Sequence, residues 1–163
     1  MSRSILLAVG LLAVAPWAQA VGKTIVLESR FGDVKSEQGV KTGLPNGVEL
    51  GQKVRVDPIE SADPAFHGAT ITLYEHSESF PADGRYRVWG VIDTRSGDKA
   101  FIEYSGTWTV ETRDGKFAAA PFAAKGTILG GTGALSTLAG TVAQSGRVTP
   151  ETGGIYRIEL TTR

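Results

Sequence analysis

The chain has 163 residues, with 17 Lys and Arg against 17 Asp and Glu, two histidines and no cysteine. A near-neutral chain without basic runs lacks the electrostatic footprint of a nucleic-acid-binding protein, so we expect no nucleic acid partner. The absence of cysteine excludes disulfides, thiol catalysis and iron–sulfur sites. Two histidines without an H-x-x-x-H spacing also argue against a zinc site, and we predict no metal and no cofactor.

The chain begins with the features of a cleavable secretory signal peptide. Arg3 supplies a short basic region, residues 5–15 form an apolar run of eleven residues, and Ala18-Gln19-Ala20 matches an A-x-A cleavage signal. This run is too short for a membrane-spanning helix, which needs roughly 20 residues, and we expect no membrane span. Cleavage after Ala20 leaves 143 residues, enough for one domain, and predicts a periplasmic or secreted protein.

Residues 21–68 are predicted to form a loosely ordered N-terminal arm. The segments 24–31 and 48–56 each have the composition of a strand, but glycines and prolines interrupt the region between and after them. We expect this arm to contribute one or two strands, or to cover a barrel opening.

From Ala69 onward the pattern is clearer, because short segments rich in Val, Ile, Thr and aromatic residues alternate with turn signals. The predicted strands are 69–78, 84–94, 99–112, 116–129, 138–148 and 154–162. Hairpin-length links at such regular spacing favour an antiparallel sheet over a helix-crossover fold. We predict an all-β protein whose residues 69–163 form a small, calycin-like antiparallel barrel of eight strands.

The first of these strands carries the principal candidate for catalysis, Glu75. Alternation places Glu75 on the face of Ile71 and Leu73, the expected interior, where burial raises the pKa of a carboxyl group and suits it to acid–base work. The alternative is that Glu75 belongs to a structural hydrogen-bond network or lies in water at a barrel mouth.

The following strands add candidate ligand-binding residues whose orientation the sequence leaves open. Arg87 and Trp89 share one face of their strand and would form an anion clamp beside an aromatic wall if they point inward. If they point outward, they belong to a solvated surface. Tyr104 and Trp108 share a face with Ile102 and are predicted to be core or cavity wall.

Two segments together resemble the allene oxide cyclase and dirigent proteins. These are residues 73–78, Leu-Tyr-Glu-His-Ser-Glu, and the glycine-rich turn at 130–135 with the strand after it. The resemblance implies a barrel with an apolar cavity and a catalytic acid at Glu75. It also implies ligand contacts by Tyr74, His76 and Ser77, and assembly as a homodimer or homotrimer. The cysteine that the cyclases use is absent, and Ser77 replaces their Asn.

We therefore expect a barrel that encloses a small hydrophobic or amphipathic molecule, and three functions fit this expectation. The first is a cofactor-independent cyclase or isomerase that uses Glu75 and the shape of the cavity. The second is a non-catalytic binding or carrier protein. The third is a structural or interaction module whose interior is filled by side chains.

Overall fold

The computed structural model describes residues 22–45 and 47–163, so the predicted signal peptide and its cleavage site lie outside the described residues. The described chain forms strands joined by short turns and one 3-10 helix, Gly133–Leu135. The strands are β1 (Thr24–Arg30), β2 (Asp33–Lys41), β3 (Glu49–Glu60), β4 (Thr70–Ser79), β5 (Asp83–Asp93), β6 (Lys99–Thr109), β7 (Glu111–Arg113), β8 (Lys116–Gly131), β9 (Gly140–Thr149) and β10 (Gly153–Thr162). No helix in this part of the chain is long and apolar enough to cross a membrane.

Eight of the strands close into an antiparallel barrel in the order β1-β10-β9-β8-β6-β5-β4-β3. Closure depends on a short contact in which Glu28 and Ser29 of β1 pair with Glu60 and Ile59 of β3. The predicted all-β, eight-stranded antiparallel barrel is confirmed. Closure removes the free strand edges that an open sheet of this size would expose.

The segment predicted as a loose arm is more ordered than expected, and the barrel does not begin at Ala69. Strand β1 pairs with β10 along its whole length, from Thr24 opposite Thr161 to Arg30 opposite Ile155. Strands β1 and β3 are thus two of the eight barrel strands, because residues 69–163 supply only six. The glycines and prolines that interrupt residues 21–68 lie mainly in the connections rather than within these two strands.

Strand β2 is an addition that the sequence did not indicate. It pairs with β3 beyond the point where β1 leaves it, with a bulge between Val34 and Ser36, and every residue of it is exposed. An exposed strand has no apolar face to produce an alternating pattern, so β2 has no recognisable strand signal in the sequence. Charged side chains along β2 protect its free edge from pairing with other chains.

The two ends of the barrel differ in how they are filled. At one end, which we call the closed end, the β3–β4, β5–β6 and β8–β9 connections cover an aliphatic core that includes Ile71, Ile92, Ile102 and Leu160. Phe66 and Leu135 from these connections are buried in the same core. The opposite end, where β2 extends beyond the barrel, is the open end.

Candidate functional site

The interior of the open end contains a chamber of about 170 Å³. Its wall combines apolar and aromatic side chains with a few polar ones: Phe31, Lys53, Arg55, Leu73, Glu75, Tyr86, Val88, Tyr104, Trp108, Ala120, Phe122, Gln144 and Val148. A mainly apolar concave surface with a few converging polar groups is the usual form of a small-molecule site. A cavity of about 150 Å³ accommodates benzene, so the chamber has room for a molecule of one ring.

Three aromatic side chains of the chamber wall each lie over a glycine on a neighbouring strand. Trp108 covers Gly84, Phe122 covers Gly146 and Phe31 covers Gly154, and a Cβ atom at any of these glycines would collide with the ring above it. The first two pairs are also direct partners in the sheet register. Glycine therefore allows each large ring to lie close to the sheet and leaves the centre of the open end empty.

Glu75 lies on the inner face of β4, in line with the buried Ile71 and Leu73, and its side chain is half-buried at the chamber wall. The register places it opposite Lys53 of β3. Lys53 instead pairs with Glu37 of β2, with 2.6 Å between Nζ and Oε1. No described residue forms a hydrogen bond or ion pair with the Glu75 carboxylate, so the carboxylate is available to a ligand.

A buried charged cluster forms the base of the chamber. Asp57 is fully buried, and its carboxylate accepts hydrogen bonds from Arg55 Nε (2.8 and 2.9 Å), from the backbone N–H of Gly32 (2.7 Å) and from Tyr156 Oη (2.6 Å). Burial and the neighbouring Asp57 carboxylate raise the pKa of Tyr156, which keeps its hydroxyl protonated as a donor. The Phe31 ring covers the Arg55 guanidinium at 3.6 Å.

Only one edge of the Arg55 guanidinium is occupied by this cluster. Its Nε–H donates a hydrogen bond to the Asp57 carboxylate, whereas within the described chain its two Nη atoms have no hydrogen-bond acceptor. The Arg55 side chain is 7% exposed and lines the chamber. An arginine presents five N–H donors, so most of its donors remain free on the chamber side.

A second cluster of polar side chains, formed by Tyr86, Gln144 and Tyr104, crosses the interior beside Arg55. Tyr86 Oη donates a hydrogen bond to Gln144 Oε1 at 2.9 Å, and Gln144 Nε2 donates to Tyr104 Oη at 3.1 Å. Burial raises the pKa of both tyrosines, with a further contribution from the Glu75 charge, so both hydroxyls stay protonated. The Tyr104 hydroxyl proton has no acceptor in residues 22–45 and 47–163.

The spare proton does not depend on how the Gln144 amide is oriented. If its oxygen and nitrogen exchange places, Tyr104 donates to the oxygen, Tyr86 accepts from the nitrogen, and Tyr86 then holds the free proton. One of the two tyrosine hydroxyls therefore remains a free donor in either orientation. Both tyrosines line the chamber.

The structure divides the residues predicted from sequence into two groups. Glu75, Tyr104 and Trp108 line the chamber, and Ser77 follows Glu75 on the inner face of β4, at the rim opposite Gly51. The outer residues are Tyr74, His76, Arg87 and Trp89.

Strand alternation turns the side chains of these four residues away from the chamber, and none of them lines it. On the outer surface Arg87 lies over the Trp89 ring at 4.5 Å, His76 meets that ring edge-on at 5.6 Å, and Arg87 pairs with Glu103 at 3.0 Å. The open question about Arg87 and Trp89 is thus answered in favour of the solvated face.

The site residues predicted from the sequence do not include Arg55, Asp57 and Gln144. On β3 the charged residues Lys53, Arg55 and Asp57 alternate with Val54 and Val56, which reads as a charged outer face and an apolar inner one. The structure has the reverse, with Arg55 and Asp57 buried and the valines half-buried on the outside. A signal was nevertheless present, since opposite charges two residues apart on one strand face can neutralise each other inside a barrel.

Comparison of the chain with protein-family models, with curated proteins and with solved structures finds no match in any of the three. The resemblance to allene oxide cyclases and dirigent proteins therefore stays a prediction. In the described residues, no three His, Asp or Glu side chains come together in a way that could hold a metal ion. The function of the site is therefore inferred from its own geometry.

Proposed function

We propose that this protein is an exported barrel that binds one small amphipathic molecule in the chamber at its open end. The observation that carries the proposal is the contrast between a filled closed end and an empty, partly polar chamber at the open end. A purely structural barrel would be filled at both ends. A ligand that binds the folded barrel by filling this chamber and pairing the polar groups of its wall would stabilise the fold.

The chamber volume and the depth of the polar groups set the size and polarity of the ligand. A volume of about 170 Å³ accommodates a one-ring molecule, and a longer molecule would have to extend through the mouth. Trp108, Phe122 and Phe31 offer ring surfaces to its apolar part. Arg55 and the tyrosine pair offer donors to its polar part.

The test uses three one-ring probes of different charge: benzyl alcohol, benzylamine and benzoate. We expect at least one to bind the wild-type protein in ligand-observed NMR, and Ala120→Phe, which fills the chamber from β8, to abolish that binding. Ala123→Phe is the matched control, because Ala123 lies on the same strand but is exposed on the outside. If no probe binds, or if Ala120→Phe binds as well as wild type, the proposal is wrong.

A second candidate function, a cofactor-independent cyclase or isomerase, is favoured by one observation, the unpaired Glu75 carboxylate in the chamber wall. A carboxylate without a structural partner can transfer a proton or stabilise developing positive charge. A separate measurement, native mass spectrometry of the protein purified from its own host, identifies any bound compound. Conversion of that compound by wild type, with binding but no conversion by Glu75→Gln, supports catalysis, whereas equal behaviour of the two proteins supports a carrier.

A further inference from the structure

Two sets of hydrogen-bond donors in the chamber have no acceptor within the described protein. One set is the pair of Nη groups of Arg55, and the other is the spare hydroxyl proton of the Tyr86 and Tyr104 pair. Both sets lie in the buried layer at the base of the chamber, where side-chain exposure is below a tenth. Every fully buried side-chain N and O atom of the described residues has a hydrogen-bond partner, so the Arg55 Nη atoms remain in contact with the solvent of the chamber. These donors are therefore open to an acceptor that a ligand brings.

An acceptor that pairs with both sets must offer at least two lone-pair positions, because an arginine fork and a tyrosine hydroxyl line the same chamber. A carboxylate fits this need best, since its two oxygens match the planar guanidinium and accept stronger bonds than a neutral carbonyl. Asp57 cannot take this role, because its oxygens are already bonded by Arg55 Nε, Gly32 and Tyr156.

We infer that the ligand of the chamber is a small organic carboxylate whose carboxylate group binds the Nη atoms of Arg55 and the spare tyrosine hydroxyl. This inference rests on the proposed function and names its ligand class. The apolar body of the ligand then lies between Phe122, Trp108 and the aliphatic residues above the polar layer.

The charge of Glu75 determines which end of the ligand lies at the base of the chamber. Its carboxylate is higher on the wall, two residues further along β4 than Leu73, which is the register partner of Arg55. A ligand carboxylate near the rim would be repelled by the Glu75 charge. At the base it meets the free Arg55 and tyrosine donors, and the Asp57 charge there is already bonded by Arg55 Nε, Gly32 and Tyr156. The charged group therefore points inward, and a hydroxyl or amine at the other end of the ligand finds an acceptor in Glu75.

The experiment compares benzoate with benzamide, its neutral analogue of nearly the same shape, on the wild-type protein by calorimetry at pH 7. We expect benzoate to bind about tenfold more tightly or better, because only its charged oxygens form charge-assisted bonds with Arg55. In side-chain NMR, benzoate should shift the Nε resonance of Arg55 and leave that of Arg87 unchanged.

Arg55→Lys is the variant of choice, because it keeps the positive charge that balances Asp57 and removes only the planar fork. It should weaken benzoate binding about tenfold and change benzamide binding little, whereas Arg87→Lys on the outer face should change neither. Equal affinities for benzoate and benzamide, or an Arg55→Lys protein that binds benzoate like wild type, would overturn the carboxylate assignment and leave the proposed function intact. Failure of every one-ring probe would overturn both.

Discussion

At the closed end of the barrel, branched aliphatic side chains from facing strands meet and fill the interior, whereas at the open end aromatic rings lie close to glycines of the sheet. Ile71 and Leu160 at the closed end are completely buried. Phe31 and Trp108 at the open end are partly exposed and surround the chamber. The same sheet thus serves stability at one end and leaves a binding site at the other, with the Arg55 and tyrosine layer between them.

The largest expected effect concerns this intermediate layer. Asp57→Asn removes the charge that balances Arg55 in a fully buried position, and we expect the free energy of unfolding to fall by about 3 kcal/mol. Urea denaturation measures the change. Asp93→Asn is the control, because Asp93 pairs with Lys99 where both side chains are partly exposed, and its loss should cost less than about 1 kcal/mol. Equal losses would show that the buried layer contributes no more than a surface pair.

This layer is also where sequence and structure disagree most. The alternation of β4 was sufficient to place Glu75 beside Leu73 on the inner face. The alternation of β6 was likewise sufficient to place Tyr104 and Trp108 inside. In both strands, apolar neighbours two residues away identify the buried face. On β3 the same rule points to the wrong face, since a charge pair is buried and two valines are outside. Alternation records how polar each face is, but it does not record whether a partner elsewhere neutralises a charge.

The barrel itself was predicted, but the strands that close it were not, for a related reason. Its defining contact is the pairing of Glu28 and Ser29 with Glu60 and Ile59, residues about thirty positions apart in a region broken by glycine and proline. Local turn signals connect neighbouring strands, and they carry no information about a pairing over that distance. The sequence indicated strands at 24–31 and 48–56, but not their place beside β10 and β4.

The next expected effect compares the two ends of the barrel by making the same change, Ala to Leu, at each end. Ala100→Leu at the closed end adds volume to a completely buried position on β6, and we expect overpacking to cost about 2 kcal/mol in urea denaturation. Ala120→Leu at the open end points into the chamber, so its added carbons gain contacts without displacing others and should not lower stability. A destabilised Ala120→Leu protein would mean that the open end is packed like the closed one.

The smallest expected effect contrasts the chamber with the outer surface that the sequence also offered as a ligand site. Arg87→Gln breaks the pair with Glu103 and the contact with the Trp89 ring, both in solvent. Exposed ion pairs contribute little, so we expect a stability change below about 0.5 kcal/mol in urea denaturation and no change in the affinity of any probe that binds the chamber. A loss of probe affinity matching that of Ala120→Phe would move the binding site to the outer face. An unchanged affinity leaves the chamber, with its unpaired donors and apolar rings, as the part of the barrel that recognises a ligand.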